Sequence, residues 1–586
     1  MILLNKSNHV GELTLGKNIV DENFFIIDSN NLDNVVSHMY GFLISKKGFI
    51  TDNYYKQLGY YEKPEPQGVY IMIRKNKNKI VINQDFHGSF GLYAYENKEK
   101  NYFTLSNSFL LLGEYLVGKQ NISFNKEYAD NLIISRLYTY SINETMIKEI
   151  IQFPRNIFIV INIQRKSFQI HDIDYKENTI PLESDEGLEI IDKWVDKWGY
   201  ILRSLKKKTN IISCDISGGF DTRTALSIIL NSGIKLDEIL MNSAKDKKHV
   251  HSEDFSIASN ISSKFGFKLN NLHFTNKGTI WNAKDSLSCT MYSKLGFHKE
   301  FYFKNIFLEN PKFSITGTRG EDLRGSPGCP IKSYINDVSS ENISGHSKEF
   351  YNSSKIIINR SIDYLKLKKN YSNDYEISYD LYSRIVNKNH FGRSALEAFI
   401  SNIYLIQPLM DPDIKKIKYE INNDLSHDFI AFIYMRFARD LIYFPIQGNR
   451  ILNKDNIRKA NKLNSKLIRY KIKSDCNKNF FIDFKRKSPV KQNKQKKNVN
   501  EILNQIFESK EFLNIICKIY DKNLYNWSKS YINKTNHHPL KHQYALLAVA
   551  VISELILANN KNMRNQNKKI LKNKFKIINY ITNLKF

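Results

Sequence analysis

The feature that most restricts how this chain can fold is the run Ile211-Ile212-Ser213-Cys214-Asp215-Ile216-Ser217-Gly218-Gly219-Phe220-Asp221-Thr222-Arg223-Thr224, an apolar segment that enters a glycine turn and leaves it as a helix. Adjacent glycines permit backbone conformations and close approaches that side chains forbid. A strand that hands over to a helix through such a turn points the turn amides and the helix N-terminus at one place, a concave nest suited to phosphate oxygens. Ser217 and Thr222 add hydroxyl donors. Asp221 repels an anion held there unless a cation lies between them, which argues for magnesium bridging the phosphates. No lysine follows the glycines, so the turn is not a Walker loop.

The surrounding rhythm agrees with a strand–turn–helix unit. Residues 210–216, 238–241 and 312–316 read as strands, and 224–231 and 254–265 as helices. Alternation of this kind predicts βαβ units, hence an α/β fold with a parallel sheet whose ligands lie beyond the carboxyl ends of its strands. Before about residue 181 the texture differs. Short β-rich runs at 68–73, 79–83, 157–163 and 167–170 suit an antiparallel or layered sheet. Ser184 and Asp185 then open an amphipathic helix toward Leu205, with Trp194 and Trp198 as core anchors. A chain of 586 residues exceeds what one core usually holds. The expected division is 1–182 and 183–586, with mostly helical structure past about residue 345.

The 87 Lys+Arg against 59 Asp+Glu leave a net charge of +28, spread along the chain together with heavy Asn and Ile usage, which points to compositional bias rather than to a nucleic-acid partner. The densest basic run, Lys485, Arg486, Lys487, Lys491, Lys494, Lys496 and Lys497, has no interleaved aromatics for base stacking and reads as a solvated loop. Five scattered cysteines, Cys214, Cys289, Cys329, Cys476 and Cys517, form neither a disulfide framework nor a zinc pattern. Residues 1–10 do not make a secretory signal. The apolar run 544–558 is shorter than a bilayer span and carries Glu554, so it reads as a buried helix. The expectation is a cytoplasmic protein without a membrane span.

Ser217-Gly218-Gly219-x-Asp221-Thr222 resembles the PP-loop of the ATP pyrophosphatases. Asp85-Phe-His-Gly88-Ser-Phe-Gly91-Leu92-Tyr93 resembles a stretch of the amino-terminal glutaminase-like domain of asparagine synthetases, as do Phe103-Thr-Leu-Ser106 and the Pro154 turn after it. Thr316-Gly317-Thr-Arg-Gly320-Glu321-Asp322-Leu323-Arg324-Gly325 resembles a further loop of that family, and Gln407-Pro408-Leu409-Met410-Asp411 its Val-Pro-Phe-Leu-Asp. The resemblance implies an amino-terminal Ntn-hydrolase-like αββα layer followed by a PP-loop, adenine nucleotide alpha hydrolase-like, parallel-sheet domain with a helical extension. It places Ser217, Gly218, Gly219, Asp221, Thr222, Met241, Thr316 and Gly317 at ATP. It also puts Asp221 and Glu321 on Mg2+, and Asp322 on the family's second acid, with the two acids exchanged. Lys485 and Lys487 are its candidates for a late charge-stabilising lysine.

The departures shape the expected activity. The family's glutaminase needs Cys at position 2; here Ile2 stands there, no Cys precedes Cys214, and the Asn-Gly-Glu glutamine-holding motif is missing. Without a nucleophile an acyl-enzyme step has no chemical basis. Tyr404-Leu405-Ile406 replaces the family's Glu-Ala-Arg, which argues against aspartate as substrate. The resemblance therefore implies an AMP- and pyrophosphate-forming carbon–nitrogen ligase. It would adenylate a small-molecule, peptide or sugar carboxylate and pass it to an amine or ammonia, without glutaminase activity of its own. A second copy, in a homodimer, is a candidate partner. A nucleotide-binding homologue that has lost catalysis and an RNA-modifying PP-loop enzyme are the competing readings.

Overall fold

The computed structural model describes residues 21–135, 139–175, 177, 179–209, 212–245, 249–272, 279–280, 283–299, 311–318, 320, 335, 343, 345–418, 428–447, 452–465, 480–482, 497–532 and 541–564. The fold is mixed α/β, with antiparallel sheets in the amino-terminal part and a parallel sheet after them.

Two antiparallel sheets form the amino-terminal part. One runs Ile26–Asp28, Tyr102–Ser106, Tyr93–Asn97, Ile150–Gln152; the other runs Ser167–Asp172, Ile157–Asn162, Lys79–Gln84, Gly68–Lys75, His38–Ser45, Gly48–Ile50. The strand period of two explains how the second sheet serves two cores. Tyr40, Phe42, Ile44, Ile71 and Ile73 face the main core, while Met39, Leu43, Tyr70 and Met72 fill a smaller cluster with Tyr55 of the short helix Asp52–Gln57. Ring contacts Phe25–Tyr40 at 5.6 Å and Phe103–Phe168 at 5.1 Å join the sheets.

The parallel sheet has the order Leu269–Leu272, Leu240–Ala244, Ile212–Asp215, Lys312–Ile315, Ile403–Ile406. Its apolar side chains carry the core of this part; Ile212, Cys214, Met241, Phe313, Ile315 and Ile406 are fully buried. Counted along the chain the order is third, second, first, fourth, fifth, so the direction of winding reverses beside Ile212–Asp215. That reversal opens a crevice at the carboxyl ends of Ile212–Asp215 and Lys312–Ile315.

The helix Asp185–Lys206 starts as the sequence suggests, with Ser184 Oγ accepting from the Gly187 amide at 3.0 Å. Its tryptophans are buried and hold the segment after the last strand: Trp194 Nε1 donates to the Pro408 carbonyl at 2.9 Å and Trp198 Nε1 to Asp411 Oδ2 at 2.8 Å. The apolar run 544–558 lies in the helix Lys541–Arg564. Its His542–Asn560 stretch is long and apolar enough to cross a bilayer, but 89% of its most apolar window is buried inside the fold.

The two parts share one apolar core. Phe42 and Phe49 of the antiparallel sheet meet Phe313, Phe399 and Tyr404 of the later segment. The strand Phe481–Ile482 also pairs in parallel with Gly48–Ile50, adding a seventh strand to the amino-terminal sheet. Gly48, at φ +138°, is required there because a Cβ would fall on the Phe481 carbonyl.

Candidate functional site

The Ser217–Gly219 turn occupies the crevice, between the strand Ile212–Asp215 and the helix Phe220–Ser232. Gly219 is the N-cap of that helix, with extended backbone and no side chain of its own to cap it, and the first-turn amides carry the positive end of the helix dipole. Ser217 N–H donates to Thr222 Oγ1 at 3.1 Å, and the two hydroxyls lie 3.0 Å apart. Gly219 N–H donates to Ser217 Oγ at 3.1 Å. The expected serine and threonine hydroxyls therefore lie together inside the turn.

Two side chains with no role in the sequence reading fix the turn from opposite sides. Beneath it, Arg223 is fully buried and donates to the carbonyls of Gly218 at 2.9 Å, Phe444 at 3.2 Å and Pro445. Burial lowers the guanidinium pKa; the charges of Tyr434 and Asp254 act the other way. The Gln447 amide donates to the same Gly218 carbonyl at 3.3 Å. With that carbonyl held inward, the Gly218 amide faces the opposite side, where Asp254 Oδ1 accepts it at 2.7 Å. Asp254 belongs to the helix His249–Phe265 and stands half-buried at the mouth. Its spacing marks only the start of a helix, so local sequence carries no signal for this contact.

The glycines show how tightly the parts fit. A Cβ on Gly218 would lie 2.7 Å from Asp254 Oδ1 and 2.8 Å from Ile257 Cδ1. On Gly219 it would meet, among the described residues, only Ser217 Oγ, at 3.3 Å, so toward them this residue presents an open face. On Gly317 it would fall on the backbone of Asp221 and Thr222, and on Gly320 on the Asp221 carboxylate. The Thr316–Gly317 segment thus closes directly over the first turn of the Phe220–Ser232 helix. Thr316 N–H donates to the Ile406 carbonyl at 3.0 Å, and its hydroxyl lies 2.7 Å from that of Thr318.

Among the expected site residues, Ser217, Gly218, Gly219, Asp221, Thr222, Thr316 and Gly317 come together here. Met241 is fully buried and pairs with Cys214 and Leu269 inside the sheet. Glu321, Asp322, Lys485 and Lys487 lie outside the described residues, as do Cys329 and Cys476. Cys214 and Cys289 are buried and Cys517 is half-buried. Among the described residues no three His, Cys, Asp or Glu side chains converge on one metal-sized point. Mg2+ takes one or two carboxylates and completes its shell with phosphate oxygens and water; the Asp221 carboxylate, in the first turn of the helix and packed against Gly320, is the described acid that would hold it.

The Asp411 segment is structural in its contacts. Asp411 is fully buried, pairs with Lys197 at 2.7 Å and accepts from Trp198; the preceding Met410 carbonyl lies 2.7 Å from His87 Nε2 of the amino-terminal part. No protein-family model matches the chain, and no curated protein aligns with it. The case for a function accordingly stands on the residues and their geometry.

Proposed function

We propose that this chain is an ATP-dependent carbon–nitrogen ligase of the asparagine-synthetase-like kind, adenylating a carboxylate and passing the acyl group to an amine or ammonia. On this reading residues 183–586 form a PP-loop, adenine nucleotide alpha hydrolase-like domain. Residues 1–182 form an Ntn-hydrolase-like layer without glutaminase activity. The observation that carries it is the fit of Gly317 on the backbone of Asp221 and Thr222. Two motifs far apart in sequence, one resembling the PP-loop of the ATP pyrophosphatases and the other a loop of the asparagine synthetases, meet at the winding reversal where open α/β sheets bind ligands.

The residues divide the work as follows. Amides of the turn and of the helix N-terminus, with the Ser217 and Thr222 hydroxyls, receive the phosphates. Arg223 keeps the Gly218 carbonyl turned away from them. Asp221 would hold a cation against the phosphate oxygens, and magnesium, when bound, would neutralise charge on the departing pyrophosphate. Orientation and charge stabilisation, rather than a protein nucleophile, supply the rate.

The test is incubation with ATP, magnesium, ammonium or a simple amine, and a panel of carboxylic acids, reading AMP against ADP by mass spectrometry with Asp221→Ala as control. AMP and pyrophosphate, lost in the variant, support the ligase. ADP, or AMP that persists in the variant, defeats it. One observation favours a second reading, a nucleotide-binding homologue without catalysis: the Gly218 and Gly219 amides are already engaged by Asp254 and Ser217. Nucleotide that binds and is never turned over with any acid or amine would select it.

A further inference from the structure

The three amides of the turn differ in what engages them. Those of Ser217 and Gly219 donate to neutral hydroxyls within the turn itself, groups that can rotate away when a better acceptor arrives. The Gly218 amide donates to a carboxylate brought in by another helix. A charge-assisted bond of 2.7 Å is among the stronger hydrogen bonds in proteins. The helix that brings Asp254 is not free to withdraw, because buried Ile257 one turn along packs against the same glycine. Asp221 stands in the first turn of the facing helix. Among the described residues, an anion entering the cradle therefore meets carboxylates on the Gly218 side and in the Phe220–Ser232 first turn. Arg223, beneath the loop, offsets part of that charge but spends its donors on carbonyls.

We propose that Asp254 is a specificity-determining residue of the cradle: by occupying the Gly218 amide it excludes free anions, so that the turn takes a polyphosphate only as its divalent-metal complex. The inference rests on the reading of this turn as a polyphosphate site. The physical basis is the sign of the local charge. A bare phosphate competes with a resident carboxylate for the same donor and is repelled by it, whereas a cation shared between phosphate oxygens and the carboxylates reverses that repulsion. A nest without the resident acid would bind inorganic phosphate, sulfate and uncomplexed nucleotide alike.

The experiment is calorimetric titration of inorganic pyrophosphate into the full chain, in magnesium and in EDTA, for the wild type, Asp254→Asn and Asp254→Ser. Thermal melting confirms that each variant is folded, and the serine variant serves if the asparagine one is not. The wild type should bind in magnesium and at least about tenfold more weakly in EDTA, about 1.4 kcal/mol. Either variant should close most of that gap by gaining affinity in EDTA, and should begin to bind sulfate. Equal wild-type affinity in both conditions, or an unchanged gap in a folded variant, overturns the role of Asp254 while leaving the site intact. If neither wild type nor variants bind pyrophosphate or ATP under any condition, the polyphosphate reading itself falls, and this inference with it.

Discussion

Two glycine turns in this molecule use the same parts to opposite ends. At 85–91 the Asp85 carboxylate accepts the amides of Tyr70 at 3.1 Å, His87 at 3.0 Å and Ser89 at 3.1 Å, with the Ser89 hydroxyl at 3.0 Å. A buried arginine, Arg393, donates to the carbonyls of Ser89 and Phe90 and to the Tyr93 hydroxyl at 2.6 Å. Gly91, at φ +70°, leaves no space at all, since a Cβ there would fall on that guanidinium. At 217–222 a carboxylate and a buried arginine also grip the backbone. There, however, the acid comes from a different helix, stands half-buried, and leaves Gly219 with a face that is open among the described residues. A turn that supplies its own acid and lies wholly inside the core is closed. One whose acid is lent by a neighbour at the surface keeps room for a ligand. This contrast agrees with the proposal that the amino-terminal layer is a scaffold and the parallel sheet carries the chemistry.

The contrast can be broken most forcefully at the two arginines. Arg223→Met and Arg393→Met each leave buried carbonyls without a donor, and each should cost about 3 kcal/mol or more in urea unfolding. Only Arg223→Met should also abolish nucleotide binding to the refolded chain. A loss of binding in a folded Arg393→Met of the same size would end the distinction between the turns.

Next in size is a pH effect confined to the closed turn. Burial pushes the Asp85 carboxyl up to about 6 from its ordinary 3.8, and the hydrogen bonds it accepts only partly offset this. The folded chain therefore holds this proton more tightly than the unfolded chain. The contribution is fully present below about pH 4 and is lost as pH rises through about 6, on the order of 2–3 kcal/mol. Asp85→Asn, which cannot ionise, should flatten that part of the stability curve in urea melts taken from pH 4 to 7. An unchanged slope would show that other buried acids set it.

Gly218 and Gly219 sharpen the comparison within the open turn. Gly218→Ala drives a methyl into Asp254 and Ile257 and should lower stability by about 1–3 kcal/mol. Gly219→Ala meets only Ser217 Oγ and should change stability by no more than about 0.5 kcal/mol. It should nonetheless weaken pyrophosphate binding about tenfold, or about 1.4 kcal/mol, by filling the open face. Unaltered affinity would place the phosphates elsewhere. The smallest effect belongs to Ser217→Ala, which removes the acceptor of the Gly219 amide and should cost about 1 kcal/mol of stability, read in the same urea melts.

Whatever depends on near neighbours can be read along the chain. The strand near 210–216, the helix after it, the strands near 240 and 312, the Ser184 cap and the burial of Trp194 and Trp198 all follow from periodicity, turn residues and capping. These act over a few positions along the chain. The glycine turn was legible for the same reason. It takes the packed molecule to show that Asp254 takes the Gly218 amide, that Arg223 reaches Phe444 and Pro445, that Gly317 closes on Asp221, and that Phe481–Ile482 completes the amino-terminal sheet. Each joins residues whose separation leaves no periodic trace, and a strand of two residues is too short to have a pattern. Which faces meet is settled when the whole core packs, so the cradle could be read as a turn, while its resident acid emerged only once the helices were in place.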